Sequence, residues 1–239
     1  MDEINANDQV KRVLTEISVP LFQNADKILY FHDSPGVNNS MNETHHEVTL
    51  NFLKTEKPEW ILLLIDAQQD TVNDNINLLK EVAEHVEKKS NVVFLYNKVD
   101  CLEEEDGDDL DENLGEVKKM IQEQGFFNPQ IFPVSAKAAQ LFSAVLEDRA
   151  CDFTIEDERL FGRCYRFFKK KKNDMTRYFE EEISVVRNRE YDSLDKEQMV
   201  MIKNKEYSKG EVLEAWYRTG VYAVTEWILQ YIAGKEENS

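Results

Sequence analysis

Three short apolar runs of strand length alternate along the chain with stretches of helical periodicity. The runs cover residues 60–66, 91–97 and 129–134, and each has few polar interruptions, as is typical of strands buried on both faces. Between the first two runs, apolar residues recur at helical spacing from 71 to 88. A strand, a helix and a strand in this order predict a right-handed parallel crossover and therefore an α/β sheet.

Further helices are predicted around these strands, and a strand pair is predicted before them. The spacing of apolar residues indicates helices at 43–54, 110–124 and 137–146. Near the beginning of the chain, residues 12–19 alternate in polarity and end at a proline, which indicates a strand, with a helix as the alternative. This strand would pair antiparallel with the apolar run 28–31.

The character of the sequence changes at about residue 147. Residues 148–209 are rich in charged and aromatic side chains without a strand-like run, so they predict two or three helices. Residues 210–233 predict one long helix with an interruption near Gly220. We therefore expect an α/β core in 1–147, a helical insertion in 148–209, and a C-terminal helix in 210–239 that packs back on the core.

The excess of acidic side chains disfavours some classes of binding partner. The chain of 239 residues carries 47 acidic and 29 basic side chains, a formal net charge of −18. Nucleic acids and anionic membrane surfaces bind basic footprints, so neither is expected as a main partner of this segment. The three cysteines lack metal-ligand spacing and indicate reduced thiols, and no apolar run is long enough to span a bilayer. These features predict a cytoplasmic location.

Polar residues follow three of the predicted strands directly, where the carboxyl edge of the sheet would lie. The first group is Asp33 with Gly36, the second is Asn97, Lys98 and Asp100, and the third is Ser135, Ala136 and Lys137. A carboxylate can hold the water shell of Mg²⁺, and a glycine N–H lets a phosphate approach without a side chain in the way. The first group therefore suits a phosphate with its metal ion.

These three groups, in this order, resemble the third, fourth and fifth motifs of a GTP-binding domain. They read Asp-x-x-Gly, Asn-Lys-x-Asp and Ser-Ala-Lys. The stretch 33–40 resembles the dynamin-like branch of that superfamily, particularly its bacterial members. The resemblance implies a mostly parallel sheet of the P-loop GTPase type, with GTP or GDP and Mg²⁺ as ligands.

The resemblance also implies how the second and third groups would bind guanine. Asp100 would accept hydrogen bonds from N1–H and the 2-amino group, with Ser135 bracing its carboxylate. Asn97 would supply an amide near N7, and the aliphatic stem of Lys98 would cover the purine face. The backbone N–H of Ala136 would reach O6. We expect Asp100 to lie at a solvent-facing edge.

Lys137 completes the fifth motif and is included among the nucleotide-binding residues on the same resemblance. At the phosphate end, Asp33 would hold Mg²⁺ through water, and the Gly36 N–H would sense the γ-phosphate. No residue of the sequence can be named as the group that orients an attacking water, so no catalytic residue is predicted.

The phosphate-binding loop of such enzymes is missing from the sequence. No Gly-x-x-x-x-Gly-Lys-Ser/Thr occurs anywhere in the chain; that loop cradles the β- and γ-phosphates and holds Mg²⁺. In the resembled fold the strand that feeds the loop lies at the centre of the sheet. Its loss would leave either an apolar gap or a direct pairing of the run 28–31 with the run 60–66.

Two functions of different class fit these residues. The chain is either an incomplete guanine-nucleotide-binding domain, with little or no GTP hydrolysis until an upstream segment or a partner chain supplies the P-loop, or a non-catalytic degenerate GTPase that serves as a protein-interaction module. Self-association is implied by the resemblance, and membrane contact only through other parts of a larger protein. An unrelated flavodoxin-like or phosphate-binding α/β protein is the third alternative.

Overall fold

A computed structural model of the protein describes residues 31–33, 43–68, 72–102, 109–179, 191 and 193–234. Its helices, in chain order, are α1 (Glu43–Glu56), α2 (Val72–His85), α3 (Leu110–Glu123), α4 (Ala136–Leu146), α5 (Ile155–Phe168), α6 (Lys209–Arg218) and α7 (Val221–Gly234). Its strands are β1 (Ile61–Asp66), β2 (Val92–Asn97), β3 (Gln130–Val134), β4 (Met199–Ile202) and β5 (Lys205–Ser208).

The first three strands form a parallel sheet in the order β1-β2-β3. The register pairs Asp66 with Asn97, and Asn97 with Val134, so the three strands end at the same level. The predicted parallel α/β sheet is thus confirmed for these strands, with bounds within one residue of the apolar runs. The finer assignment to a P-loop GTPase sheet stays a prediction.

Helices cover both faces of the sheet because its strands are apolar on both sides. On one face Phe94 of β2 is completely buried in a cluster to which α2, α3, α4, α5 and α6 all contribute. On the other face α7 packs Ala223 and Val224 against Val93 and Phe132. Helix α7 therefore packs on this face of the sheet.

The C-terminal helical stretch is interrupted at Gly220, as its sequence predicts. Gly220 has φ +80, and a Cβ atom there would lie 2.4 Å from the carbonyl oxygen of Pro133. Only glycine fits this left-handed backbone so close to a strand. The preceding carbonyl, that of Thr219, accepts a hydrogen bond of 3.0 Å from the Ser135 amide. The junction of α6 and α7 thus rests directly on the end of β3.

The prediction of an all-helical segment at 148–209 was wrong at its end. Strands β4 and β5 pair antiparallel there, joined by Lys203 and Asn204. Both joining residues have positive φ, 45° and 60°, which matches a two-residue turn compatible with strand twist. Each strand is only four residues long, and neither the apolar run of β4 nor the mostly polar run of β5 is long enough to stand out from the charged residues around it.

The main buried cluster draws on all three predicted parts of the chain. Phe142 of α4 contacts Phe161 of α5 edge to face, with ring centroids 5.5 Å apart. Leu213 and Trp216 of α6 belong to the same cluster. The boundaries of the three parts stay predictions, but α5 and α6 share their interior with the α/β core.

Several predictions near the start of the chain lie outside the described residues, namely the strand 12–19, most of the strand 28–31, and Gly36. Residues 31–33 are described, and they are exposed coil and not strand. Within the described residues β1 pairs only with β2, and its Leu64 is 60% exposed. None of the described helices is both long and apolar enough to cross a membrane.

Candidate functional site

The candidate site lies at the carboxyl edge of the parallel sheet, where β1, β2 and β3 end side by side. Asp66 ends β1, Asn97 ends β2, and Ser135 follows β3 directly. The second and third predicted groups of polar residues are therefore brought together by the sheet, although 39 positions separate Asn97 from Ala136. Ligands of open α/β sheets bind at this edge.

The Asn97 side chain connects the ends of β2 and β3. Its Oδ1 accepts a hydrogen bond of 3.0 Å from the backbone N–H of Ala136. Its own carbonyl accepts one of 2.9 Å from the amide of Ala67, just after β1. Asn97 therefore ties three loops together, and the Ala136 N–H, predicted as the donor to O6 of guanine, donates within the chain instead.

Lys98 turns the chain away from β2 in a left-handed conformation. Its φ of 67° is uncommon for a residue with a side chain, and a short 3-10 turn, Val99–Cys101, follows at once. The Lys98 Nζ lies 2.5 Å from Oδ2 of Asp66, and the Lys98 side chain is 49% exposed. Such an exposed ion pair contributes little to stability, so the ammonium can exchange partners readily.

Asp100 and Ser135 join the two motif loops in the interior. The Ser135 hydroxyl donates a hydrogen bond of 2.5 Å to Oδ1 of Asp100. Ser135 also begins α4 as its N-cap, accepting a bond of 3.3 Å from the Ala138 amide. Helix capping and the contact with Asp100 thus use the same hydroxyl, whose acceptor and donor roles are both filled.

The Asp100 carboxylate is buried, which corrects the expectation of a solvent-facing edge. Its side chain is only 4% exposed, because α5 packs over it. Arg163 of α5 donates from Nη2 to Oδ2 of Asp100 at 3.1 Å, and the thiol of Cys164 donates to the same oxygen at 3.4 Å. Within the described residues, both carboxylate oxygens of Asp100 therefore have partners.

Helix α5 presents these two residues because of its own sequence pattern. Thr154 and Asp157 form a capping box at its beginning. Phe161, Cys164 and Phe168 recur at helical spacing and are completely buried. The buried face of the helix is thereby fixed against the core, with Cys164 inside and Arg163 at its border.

The two thiols near Asp100 are held in their protonated form. Burial, reinforced by the nearby Asp100 carboxylate, raises the pKa of Cys164 to about 12. Burial also raises the pKa of Cys101, whose Sγ lies 3.7 Å from the same oxygen of Asp100. A protonated thiol is a weak hydrogen-bond donor and a poor nucleophile, so Cys164 acts here as a packing and donor group.

Lys137, of the third predicted group, contacts α5. Its Nζ lies 2.9 Å from Oδ1 of Asp157 and 3.3 Å from Oε1 of Gln140. Hydrogen bonds from Lys137 and Thr154 lower the pKa of Asp157 to about 2. Lys137 thus fastens the start of α5 to the start of α4.

The phosphate end of the predicted site is described only at Asp33, since Gly36 lies outside the described residues. Asp33 is exposed, and the ring of the preceding His32 lies 4.9 Å from that of Phe52 in α1. Among the described residues no three or more histidine, cysteine or acidic side chains converge as a metal site. The role of Asp33 in holding Mg²⁺ stays a prediction.

Three residues of the candidate site were not predicted from the sequence. Asp66 could have been found, because it ends an apolar run in the same way that Asn97 does. Arg163 and Cys164 carry no comparable signal, since they come 63 and 64 positions after Asp100 and reach it only through tertiary packing.

No protein-family model, curated protein or solved structure matches the chain.

Proposed function

We propose that this chain is the guanine-nucleotide-binding domain of a dynamin-like GTPase, incomplete because the P-loop is absent, with little or no GTP hydrolysis on its own. The proposal rests on the residues of the three motifs and on how two of those motifs meet. It assigns the base to the pocket between the Asn97–Asp100 turn and the start of α4.

The pair of hydrogen bonds between the two motif loops carries the proposal. Ser135 donates to Asp100, and the Ala136 amide donates to Asn97. The resemblance implies the first of these contacts, and neither is required by a generic α/β sheet. Together they hold a carboxylate acceptor and a backbone donor at one sheet edge, the combination that guanine needs.

The chain's own groups would read the base by complementary hydrogen bonding. The Asp100 carboxylate would accept from N1–H and the 2-amino group, and adenine offers no such pair of donors. The Ala136 N–H, which donates to Asn97 Oδ1 in the structure, would share its hydrogen with O6, and the Lys98 stem would lie along the purine face. The ammonium of Lys98 would then leave Asp66 for water or phosphate.

Hydrolysis is not assigned to this chain alone. Its sequence has no glycine-rich loop with a lysine, so nothing identified here cradles the β- and γ-phosphates. Within the described residues β1 has a neighbouring strand on one side only and carries the exposed Leu64, and such an edge favours completion of the sheet by a further strand. An upstream segment or a partner chain would supply that strand with its loop.

Calorimetric titration of the purified chain with GDP and GTP, with and without Mg²⁺, tests the proposal, with ATP as the control ligand. We expect weak, guanine-selective binding that is lost in Asp100→Ala. Circular dichroism and thermal melting must show that the variant is folded. Equal binding of ATP and GTP, or guanine binding that survives Asp100→Ala, would contradict the assignment.

A second candidate function is a non-catalytic interaction module built on a degenerate GTPase. It is favoured by one observation: the Asp100 carboxylate, the Ala136 amide and the Lys98 ammonium are each already engaged within the chain. On this alternative, a cooperatively folded chain shows no nucleotide binding at millimolar ligand in the same titration.

A further inference from the structure

One helix covers the Asp100 carboxylate. Helix α5 places two consecutive residues, Arg163 and Cys164, on the same oxygen of Asp100. These residues lie outside all three motifs, and neither is needed to connect the motif loops. Their contact with Asp100 is therefore a separate feature that bears on access to the carboxylate.

The hydrogen-bonding capacity of the carboxylate makes the effect specific. Each carboxylate oxygen offers about two acceptor positions. On Oδ1 one position accepts from Ser135, which leaves one for a ligand. On Oδ2 the Arg163 guanidinium at 3.1 Å and the Cys164 thiol at 3.4 Å take both positions, and the Cys101 thiol approaches the same oxygen at a longer 3.7 Å. A purine could thus place its N1–H on Oδ1, but a 2-amino group would find no acceptor on Oδ2.

Of the two blocking groups, the arginine is the one that can leave. The Arg163 side chain is 46% exposed, so its guanidinium has water to move into when a ligand donor takes its place on the buried Asp100 carboxylate. Cys164 is completely buried and is held by the packing of α5. Release of Arg163 would free one acceptor position on Oδ2 and leave the helix in place.

We propose that Arg163 is an autoinhibitory latch on the base pocket, occupying the acceptor that the 2-amino group of guanine requires. This inference rests on the proposed guanine site. In the latched state the pocket can accept N1–H but does not distinguish guanine from hypoxanthine, which lacks the 2-amino group. In the released state it gains the contact that selects guanine.

The test compares GDP with inosine diphosphate, IDP, which differs only in the missing 2-amino group. Both are titrated calorimetrically into the full chain, its Arg163→Gln variant and the control Arg159→Gln. Arg159 lies one turn earlier on α5, is 70% exposed, and pairs with Glu156 of the same helix. The control thus removes the same charge from the same helix without touching Asp100.

We expect Arg163→Gln to bind GDP about tenfold more tightly than the unmodified chain, the effect of one hydrogen bond to a charged acceptor. IDP affinity should not change, since it makes no use of the freed position. Arg159→Gln should leave both affinities unchanged. A purely structural role for Arg163 would instead shift GDP and IDP together.

Two titration results would contradict the proposal, and they can be told apart. If the unmodified chain binds GDP and Arg163→Gln binds it no more tightly, the latch is wrong and the guanine site stands. If none of the folded proteins binds GDP or IDP, the latch and the guanine site are both wrong.

A second variant guards against loss of folding, because Arg163→Gln leaves Asp100 buried without a counter-charge. Arg163→Lys keeps a cation but loses the planar fork of the guanidinium. It should show the same GDP-specific gain in reduced form, with a melting temperature near that of the unmodified chain. An equal gain for IDP, or no gain for GDP, would overturn the latch with this variant alone.

Discussion

The Ser135 hydroxyl donates a hydrogen bond of 2.5 Å to the Asp100 carboxylate, across 35 positions of the chain. This bond connects the turn after β2 with the N-cap residue of α4, and it lies in the interior, where Ser135 is fully buried. The bond orients the carboxylate, because Oδ1 is held by Ser135 while Oδ2 is held by α5. Which ligand groups can bind here therefore depends on how many hydrogen bonds each oxygen of Asp100 can still accept.

In the Arg163→Gln protein, where Oδ2 of Asp100 can accept from the ligand, replacing that carboxylate with an amide of the same shape should change which base is bound. Asp100→Asn presents one acceptor and one NH₂ donor, which opposes the 2-amino group of guanine but matches the 2-oxo group of xanthine. We expect GDP binding to weaken at least about tenfold, since a buried mismatch of donors is costly. Xanthosine diphosphate should become the better ligand in the same calorimetric titration.

Arg163→Gln with Asp100 intact supplies the control for this change, because it should prefer GDP over xanthosine diphosphate. The same order of preference in both proteins would show that residue 100 does not contact the base.

The junction at Gly220 should be sensitive to a single methyl group. Gly220→Ala would place a Cβ atom against the Pro133 carbonyl and force alanine into φ +80. We expect a loss of about 1–3 kcal/mol in the free energy of unfolding, from strain at this position. Chemical denaturation followed by circular dichroism measures it.

Gly115 is the matched control for that substitution. It lies within α3, where an added Cβ would meet nothing within 4 Å. Gly115→Ala should therefore stabilise the protein by about 0.5–1 kcal/mol, through helix propensity. Equal effects of the two substitutions would mean that the Gly220 junction is not tightly packed.

The three cysteines should differ in their rate of alkylation. Cys151 is exposed, Cys101 is partly buried, and Cys164 is buried with its pKa raised to about 12. Since the thiolate is the reactive form, at pH 8 we expect modification of Cys151 first, Cys101 more slowly, and Cys164 only on unfolding. Mass spectrometry of iodoacetamide-treated protein, with and without denaturant, measures the order. Rapid labelling of Cys164 in the folded chain would show that α5 opens readily from Asp100.

Because of the capping box of α5, the stability of the fold should decrease as the pH falls in the acid range. Asp157 has a pKa of about 2 in the folded chain, below its ordinary value of 3.8. A lowered folded-state pKa means that the ionised carboxylate stabilises the fold above about pH 4, and that this contribution is lost as the pH falls toward 2. Asp157→Asn should thus lower the melting temperature by a few degrees at pH 7, with the difference shrinking toward pH 2.

Thr154→Ala provides a second arm for the pH experiment, because it removes the other half of the capping box. Its melting temperature should drop at pH 7 as well, and the double variant should lose less than the sum of the two single losses. A pH-independent difference for Asp157→Asn would contradict the role assigned to its charge.

The apolar runs predicted β1, β2 and β3 within one residue because a strand buried on both faces leaves an unambiguous pattern of consecutive apolar residues. The crossover helices were predicted for a related reason, since a helix covering a sheet must keep one apolar stripe. The hairpin of β4 and β5 escaped prediction because it buries little, and each of its strands is only four residues long. A sequence pattern therefore predicts a helix or strand better when that element buries more of its surface.

For the site, the order of motifs along the chain was sufficient to predict which residues meet at the sheet edge, because parallel strands bring their carboxyl ends together whatever the spacing between them. The sequence by itself therefore determined the sheet, its polar edge and the meeting of Asn97 with Ala136.

The burial of Asp100 and its contacts with Arg163 and Cys164 were decided only by tertiary structure. They depend on the angle at which α5 crosses the end of the sheet, and that angle follows from packing of Phe161 and Phe168 against several elements at once, which no local pattern encodes.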